Sequence, residues 1–145
     1  MVPLIRKVRA VMRKHGLENK PLWNTETGGW IANGDGTSDH PMVANGGWRK
    51  LGLEKESGEF LFRAFLLARS EGVERFYWYS WDNRYGLGMI EPTAGTPKPM
   101  VESWRAMVDQ LLGMTINTCS SMANNWTCSA TDTFGKEKSF TWTAE

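Results

Sequence analysis

The residues best suited to chemistry are Glu26 and the aromatic, acidic run Trp78-Tyr79-Ser80-Trp81-Asp82-Asn83. Glu26 follows Pro21-Leu22-Trp23-Asn24-Thr25 and precedes Gly28-Gly29, where the backbone can turn sharply and let a ligand approach. A carboxylate at the end of a short strand can serve as nucleophile or as general acid–base. Read from local chemistry alone, the commoner meaning of such a residue is a solvated loop acid. The tryptophans carry a similar ambiguity. Eight of them in 145 residues can fill a core, or can stack on the apolar face of a sugar while neighbouring amides and carboxylates bind its hydroxyls.

The elements that must position these groups alternate between helix and strand. Residues 3–15 predict a helix, with Pro3 at its first position, Leu4, Val8, Val11 and Met12 on one apolar face, and Gly16 as the stop. Residues 21–25 predict a short strand. From 27 to 56 the chain is rich in Gly, Asn and Asp, punctuated by Trp30, His40, Pro41 and Trp48, and reads as a lid or cleft wall. Ser57 is the expected N-cap of a helix over 58–70, whose apolar face is Phe60, Leu61, Ala64, Phe65, Leu67 and Ala68. Residues 73–81 predict a second strand, aromatic enough to be buried on both faces. After a Gly-rich loop, Pro97-Lys98-Pro99 opens a last helix with Val101, Trp104, Met107, Val108, Leu111 and Leu112 turned inward. Beyond Gly113, alternating segments near 115–119, 126–130 and 139–143 predict antiparallel β structure, with a turn at Phe134-Gly135-Lys136.

In order and spacing, these segments resemble the end of the large clan of retaining (β/α)8 glycosidases that includes cellulases and β-xylosidases. Lys20-Pro21-Leu22-Trp23-Asn24-Thr25-Glu26-Thr27-Gly28 is similar to that clan's seventh-strand segment, and Gly72 to Asn83 to its eighth strand. Lys98-Pro99 and the following helix resemble the closing helix. The resemblance implies an α/β fold comprising the last two βα units of a TIM barrel with a preceding helix, over 1–113. A small, truncated antiparallel β segment follows over 114–145. A complete barrel needs about 250 residues, so the chain is expected to be a fragment, with the N-terminal barrel half missing and strand edges that favour self-association.

The resemblance also implies roles. Glu26 takes the position of the nucleophile of a retaining O-glycoside hydrolase acting on β-linked oligo- or polysaccharide. Trp81 is the favoured sugar platform, with Trp78 in competition, since a regular strand through residue 81 points the two to opposite faces. Independently of the resemblance, Asn24, Trp30, His40 and Asp82 are candidate substrate contacts, Trp30 and His40 as parts of a cleft wall. Retention requires a second carboxyl group about 5–5.5 Å from the nucleophile, which the clan supplies from an Asn-Glu motif on its fourth strand. No such element is present here: Glu18-Asn19 has the reverse order, and nothing in the resemblance assigns Asp82 that role. The chain alone is therefore expected to be inactive.

Two readings from other classes compete. One is a non-catalytic carbohydrate-binding module using Trp30, Trp48 and Trp81 as platforms; the other is a structural domain whose tryptophans are core. A net charge of +1 with interspersed signs points away from nucleic acid, and no apolar run is long enough to span a membrane as a helix. His15 and His40 are the only histidines, and with Cys119 and Cys128 they form no zinc-type spacing; no metal or cofactor is expected. His15, at a helix end, reads as a surface residue. Cys119 and Cys128 can bridge two short strands or remain unrelated thiols; a bridge implies an oxidising compartment. The opening residues read as a helix start rather than a leader, and the parent is expected to be extracellular or periplasmic. Asn125-Trp126-Thr127 fits an N-glycosylation acceptor pattern.

Overall fold

A computed structural model describes residues 1–47, 50–52, 55–83 and 85–144. Its elements are α1 (Val2–Lys14), β1 (Leu22–Thr27), β2 (Trp30–Ile31), α2 (Pro41–Ala44), β3 (Lys50–Leu51), α3 (Lys55–Ser70), β4 (Val73–Trp78), α4 (Met100–Leu111), β5 (Thr115–Met122), β6 (Asn125–Thr131) and β7 (Glu137–Thr143). The chain folds as mixed helix and strand in two compact units. One holds Met1–Asn24, Arg63–Phe76 and Leu111–Glu145; the other holds Thr25–Phe62 and Tyr77–Gln110.

In the first unit, Pro3 in the opening turn starts α1 and a left-handed Gly16 stops it. Gly16 N donates to Arg13 O and Leu17 N to Met12 O, a Schellman closure that satisfies the last carbonyls. The buried side of α1 is not the expected one. Val2 and Ile5 are buried, whereas Leu4 is 67 % exposed and Val8 and Val11 are also exposed. The helix turns Arg9 inward instead, because its guanidinium satisfies the carbonyls of Lys20 and Gly72 at either end of the strand-entry turns. Ile5 meets Ala68 of α3 and Val73 of β4, and Leu22 and Phe76 pack on that cluster.

β1 and β4 are neighbours in a two-stranded sheet. Neither face of β4 is wholly packed: buried Val73 shares one with exposed Arg75 and Tyr77, and Phe76, which meets Phe65 edge-on, shares the other with exposed Glu74. The expectation of burial on both faces therefore fails. The opposite face carries Arg75 over the exposed Trp23 ring, 4.4 Å from its centroid.

β5, β6 and β7 form an antiparallel meander whose register pairs Cys119 with Cys128 and Cys128 with Phe140. The two cysteines are joined as a disulfide. Cys128, Ala130 and Phe140 are buried, and Cys119 Sγ lies 3.7 Å from Leu66 O of α3. Thr and Ser occupy the alternate face, as a period of two requires. Asp132 closes the second turn, accepting from Phe134 N and Lys136 N.

In the second unit, the stretch expected to be a lid has structure of its own. β2 and β3 pair in parallel, Trp30 with Lys50 and Ile31 with Leu51. Trp48 lies outside the described residues. Ser57 is inside α3 and fully buried rather than its N-cap. Gly58 sits where α4 crosses, since a Cβ there would clash with Ser103. On α4, Met100, Val101 and Met107 are buried, whereas Val108 is exposed, as is Leu112 beyond the helix end. Leu111 at the helix end is buried as expected, so the inward face follows Met100, Val101, Met107 and Leu111 and leaves out Val108 and Leu112.

Candidate functional site

β1 delivers Glu26 to the rim of a cavity of about 390 Å³ in the second unit. Gly28, Gly29, Trp30, Leu51, Phe60, Tyr79 and Leu87 line it with Glu26. Glu26 is exposed, and among the described residues nothing hydrogen-bonds or ion-pairs with its carboxylate. It is the one carboxylate among the lining residues.

The glycines are required by packing rather than by ligand access. Tyr79 N donates to Thr27 O at 2.8 Å, which brings the ends of β1 and β4 together. A Cβ on Gly28 would then clash with Tyr79 O, and one on Gly29 would stand 2.7 Å from Leu51 Cδ1. These contacts hold the backbone that follows Glu26 tightly.

β4 ends at Trp78, not at 81, because the hydrogen bonds of the next residues go elsewhere. Ser80 N donates to Leu87 O, and Met89 N donates to Trp81 O at 2.8 Å. Trp78 and Trp81 therefore do not lie along one regular strand, and strand alternation does not set their relative directions. Trp78 packs edge-on against Phe60, with centroids 6.1 Å apart, and its Nε1 is buried without a hydrogen-bond partner among the described residues. Trp81 is 57 % exposed and Asp82 is exposed beside it.

Trp30 is buried and stacks on His40, with centroids 5.2 Å apart and planes inclined by 23°. The His40 edge meets Tyr85 at 4.9 Å, and His40 Nδ1 accepts from Met42 N at the start of α2. The imidazole therefore braces the cavity wall from behind.

Of the residues singled out from the sequence, Glu26 and Trp30 line the cavity, with His40 behind Trp30 and Trp78 behind Phe60. Asn24 is half-buried two residues before Glu26; it, Trp81 and Asp82 are absent from the lining. Tyr79, Phe60, Leu51 and Leu87 also line the cavity, although the sequence assigns none of them an individual role. Tyr79 belongs to the aromatic run at the strand end, which was the available signal; the other three look like ordinary core residues. Among the described residues no cluster of His, Cys, Asp and Glu could hold a metal ion, and no helix is long and apolar enough to cross a membrane.

The cavity brings one exposed carboxylate together with three aromatic side chains, Trp30, Phe60 and Tyr79. The lining itself supplies no partner acid.

No protein-family model matches the chain, and no curated protein matches it. Among solved structures, it is similar to a family 39 glycoside hydrolase from the gut symbiont Bacteroides cellulosilyticus WH2, with a TM-score of 0.67 and 17 % sequence identity. The match covers 99 % of this chain and 28 % of that one. At this identity the likeness shows the fold, which is that of a segment of a glycoside hydrolase structure.

Proposed function

We propose that this chain is part of a retaining O-glycoside hydrolase acting on β-linked oligo- or polysaccharide, with Glu26 as nucleophile. In this reading residues 1–113 form the last two βα units of a (β/α)8 barrel with their preceding helix. The observation that carries it is the placement of Glu26: a strand-end carboxylate on the rim of an aromatic-walled cavity, in a fold shared with part of a glycoside hydrolase. Trp81 is the sugar platform, because its ring is open while that of Trp78 is packed against Phe60. Asp82 binds a hydroxyl beside it.

The acid/base comes from outside this chain, so hydrolysis by the chain alone is not expected. The Cys119–Cys128 disulfide supports an extracellular or periplasmic location for the parent.

A second reading, a carbohydrate-binding module without catalysis, is favoured by the exposure of Trp81 and the single carboxylate of the cavity. Chemical-shift mapping with β-linked oligosaccharides separates the two. The glycosidase reading expects perturbations at Glu26, Trp30 and Tyr79 as well as at Trp81. Perturbation at Trp81 alone would favour the binding module, and none at either place would defeat both.

A further inference from the structure

Lys98 is only 1 % exposed, an unusual place for an ammonium unless its charge and protons are matched. Its Nζ donates to Asn33 Oδ1 at 2.8 Å and to Ile31 O at 3.4 Å. Its own backbone is held as well: Lys98 N donates to Met89 O at 2.8 Å, and prolines flank it on both sides. The ammonium is thus presented to segment 31–37 by a backbone that has little freedom to move.

That segment is organised around carboxylates. Buried Glu91 accepts from Gly34 N at 2.9 Å and from Asp35 N at 3.3 Å. Asp35 accepts from Thr37 N, Thr93 N and Ala94 N. Backbone N–H groups satisfy the carboxylate oxygens, and Lys98 supplies the opposite charge within this partly buried cluster. Without it, Asn33 Oδ1 loses a donor and the two acids lose their internal cation.

The segment starts at the cavity. Ile31, whose carbonyl faces Lys98 and whose N–H donates to Gly86 O at 2.8 Å, directly follows Trp30. Fixing Ile31 from both sides restrains its neighbour Trp30, which stacks on His40 and lines the same cavity as Glu26. Gly86 leaves no slack, since a Cβ there would lie 3.2 Å from both Asn33 Oδ1 and Ile31 O.

We propose that Lys98 is a positioning residue for the Glu26 cavity, acting through Asn33 and the Ile31 carbonyl to hold the Trp30 wall. Its bearing on sugar binding rests on the glycosidase reading of that cavity; its hold on Trp30 does not.

Hydrogen exchange on the full chain tests it, comparing wild type with Lys98→Met, which keeps the length of the side chain and removes its donors. The amides of Ile31, Gly34 and Asp35 should exchange at least about tenfold faster, the scale of losing a charged hydrogen bond, while those of Leu66 and Ala68 in α3 keep their rates. Asn33→Leu should reproduce that pattern and Asn33→Asp, which keeps the acceptor, should restore protection; this pair decides the matter if Lys98→Met does not fold. Oligosaccharide affinity should fall by about tenfold in Lys98→Met and recover with Asn33→Asp relative to Asn33→Leu. Unchanged exchange at 31–35, or a uniform rise across the chain, would overturn the proposal. Should wild type bind no oligosaccharide while the local exchange pattern holds, the positioning of Trp30 stands and the sugar reading fails.

Discussion

The carbonyl of Tyr79 occupies the space that a side chain on residue 28 would need. This contact, together with the Tyr79 N–H to Thr27 O hydrogen bond, fixes the separation of the two strand ends that flank Glu26. Gly28→Ala must push a backbone carbonyl aside, and overpacking of this kind costs about 1–3 kcal/mol. Denaturant unfolding should show that loss, with cavity contacts at Glu26 disturbed by NMR. Gly36→Ala is the control: it meets no atom within 4 Å, although its positive φ adds strain of its own.

Arg9 and Arg6 sit three residues apart on α1 and should behave differently. Arg9 bridges the carbonyls of Lys20 and Gly72, so Arg9→Met leaves two turns without their donor and should cost about 1–2 kcal/mol. Arg6 forms an ion pair with Glu71, yet its own side chain is largely in water. Arg6→Met should leave the unfolding midpoint nearly unchanged, because water and salt screen such pairs. Equal effects of the two substitutions would contradict this division.

The Cys119–Cys128 bond closes a loop with a sequence separation of 9 residues. On the chain-entropy relation, a loop of this size is worth about 2.5 kcal/mol. Reduction, or Cys119→Ala with Cys128→Ala, should lower stability by that order. The loss should appear first as faster exchange in β5, β6 and β7.

The two charged ends of the Asp35–Lys98 cluster give opposite pH signatures. Hydrogen bonds from Thr37, with those from Thr93 and Ala94, hold the Asp35 carboxyl well below its usual range. The unfolded chain then takes up a proton first as pH falls, so this stabilisation is complete above about pH 4 and declines below it. Burial pushes Lys98 down, opposed by Glu91, Asp35 and Asp39. Between its folded pKa and the usual lysine value near 10.4, the unfolded state holds more protons, so stability rises with pH in that window. Unfolding free energy measured against pH should lose its acid slope in Asp35→Asn and its alkaline rise in Lys98→Met.

Much of the element order was legible in the sequence because its signals are local. Pro3 and Gly16 bracket α1, the Thr/Ser alternation marks β5 to β7, and Phe134-Gly135-Lys136 marks the turn between the last two strands. What was not legible depends on which neighbour an element meets. The apolar stripe Leu4, Val8 and Val11 is a fine amphipathic face, but two carbonyls at distant turns recruit Arg9 and rotate the helix away from it. Trp78 and Trp81 looked like alternating positions of one strand until residues 80 and 81 bonded back to residues 87 and 89. The Lys98 cluster joins positions more than 60 residues apart, each unremarkable by itself.

Covalent trapping tests the central claim about Glu26 most directly. An activated β-linked fluorosugar with a dinitrophenolate leaving group needs no protonation to depart, so the missing acid/base does not prevent glycosylation of a nucleophile. Incubating the chain with glucosyl and xylosyl versions, then mapping by peptide mass spectrometry, should place one glycosyl ester on Glu26, and Glu26→Gln should remain unlabelled. Labelling of another carboxylate, or oligosaccharide binding at the cavity with no ester on Glu26, would contradict the account.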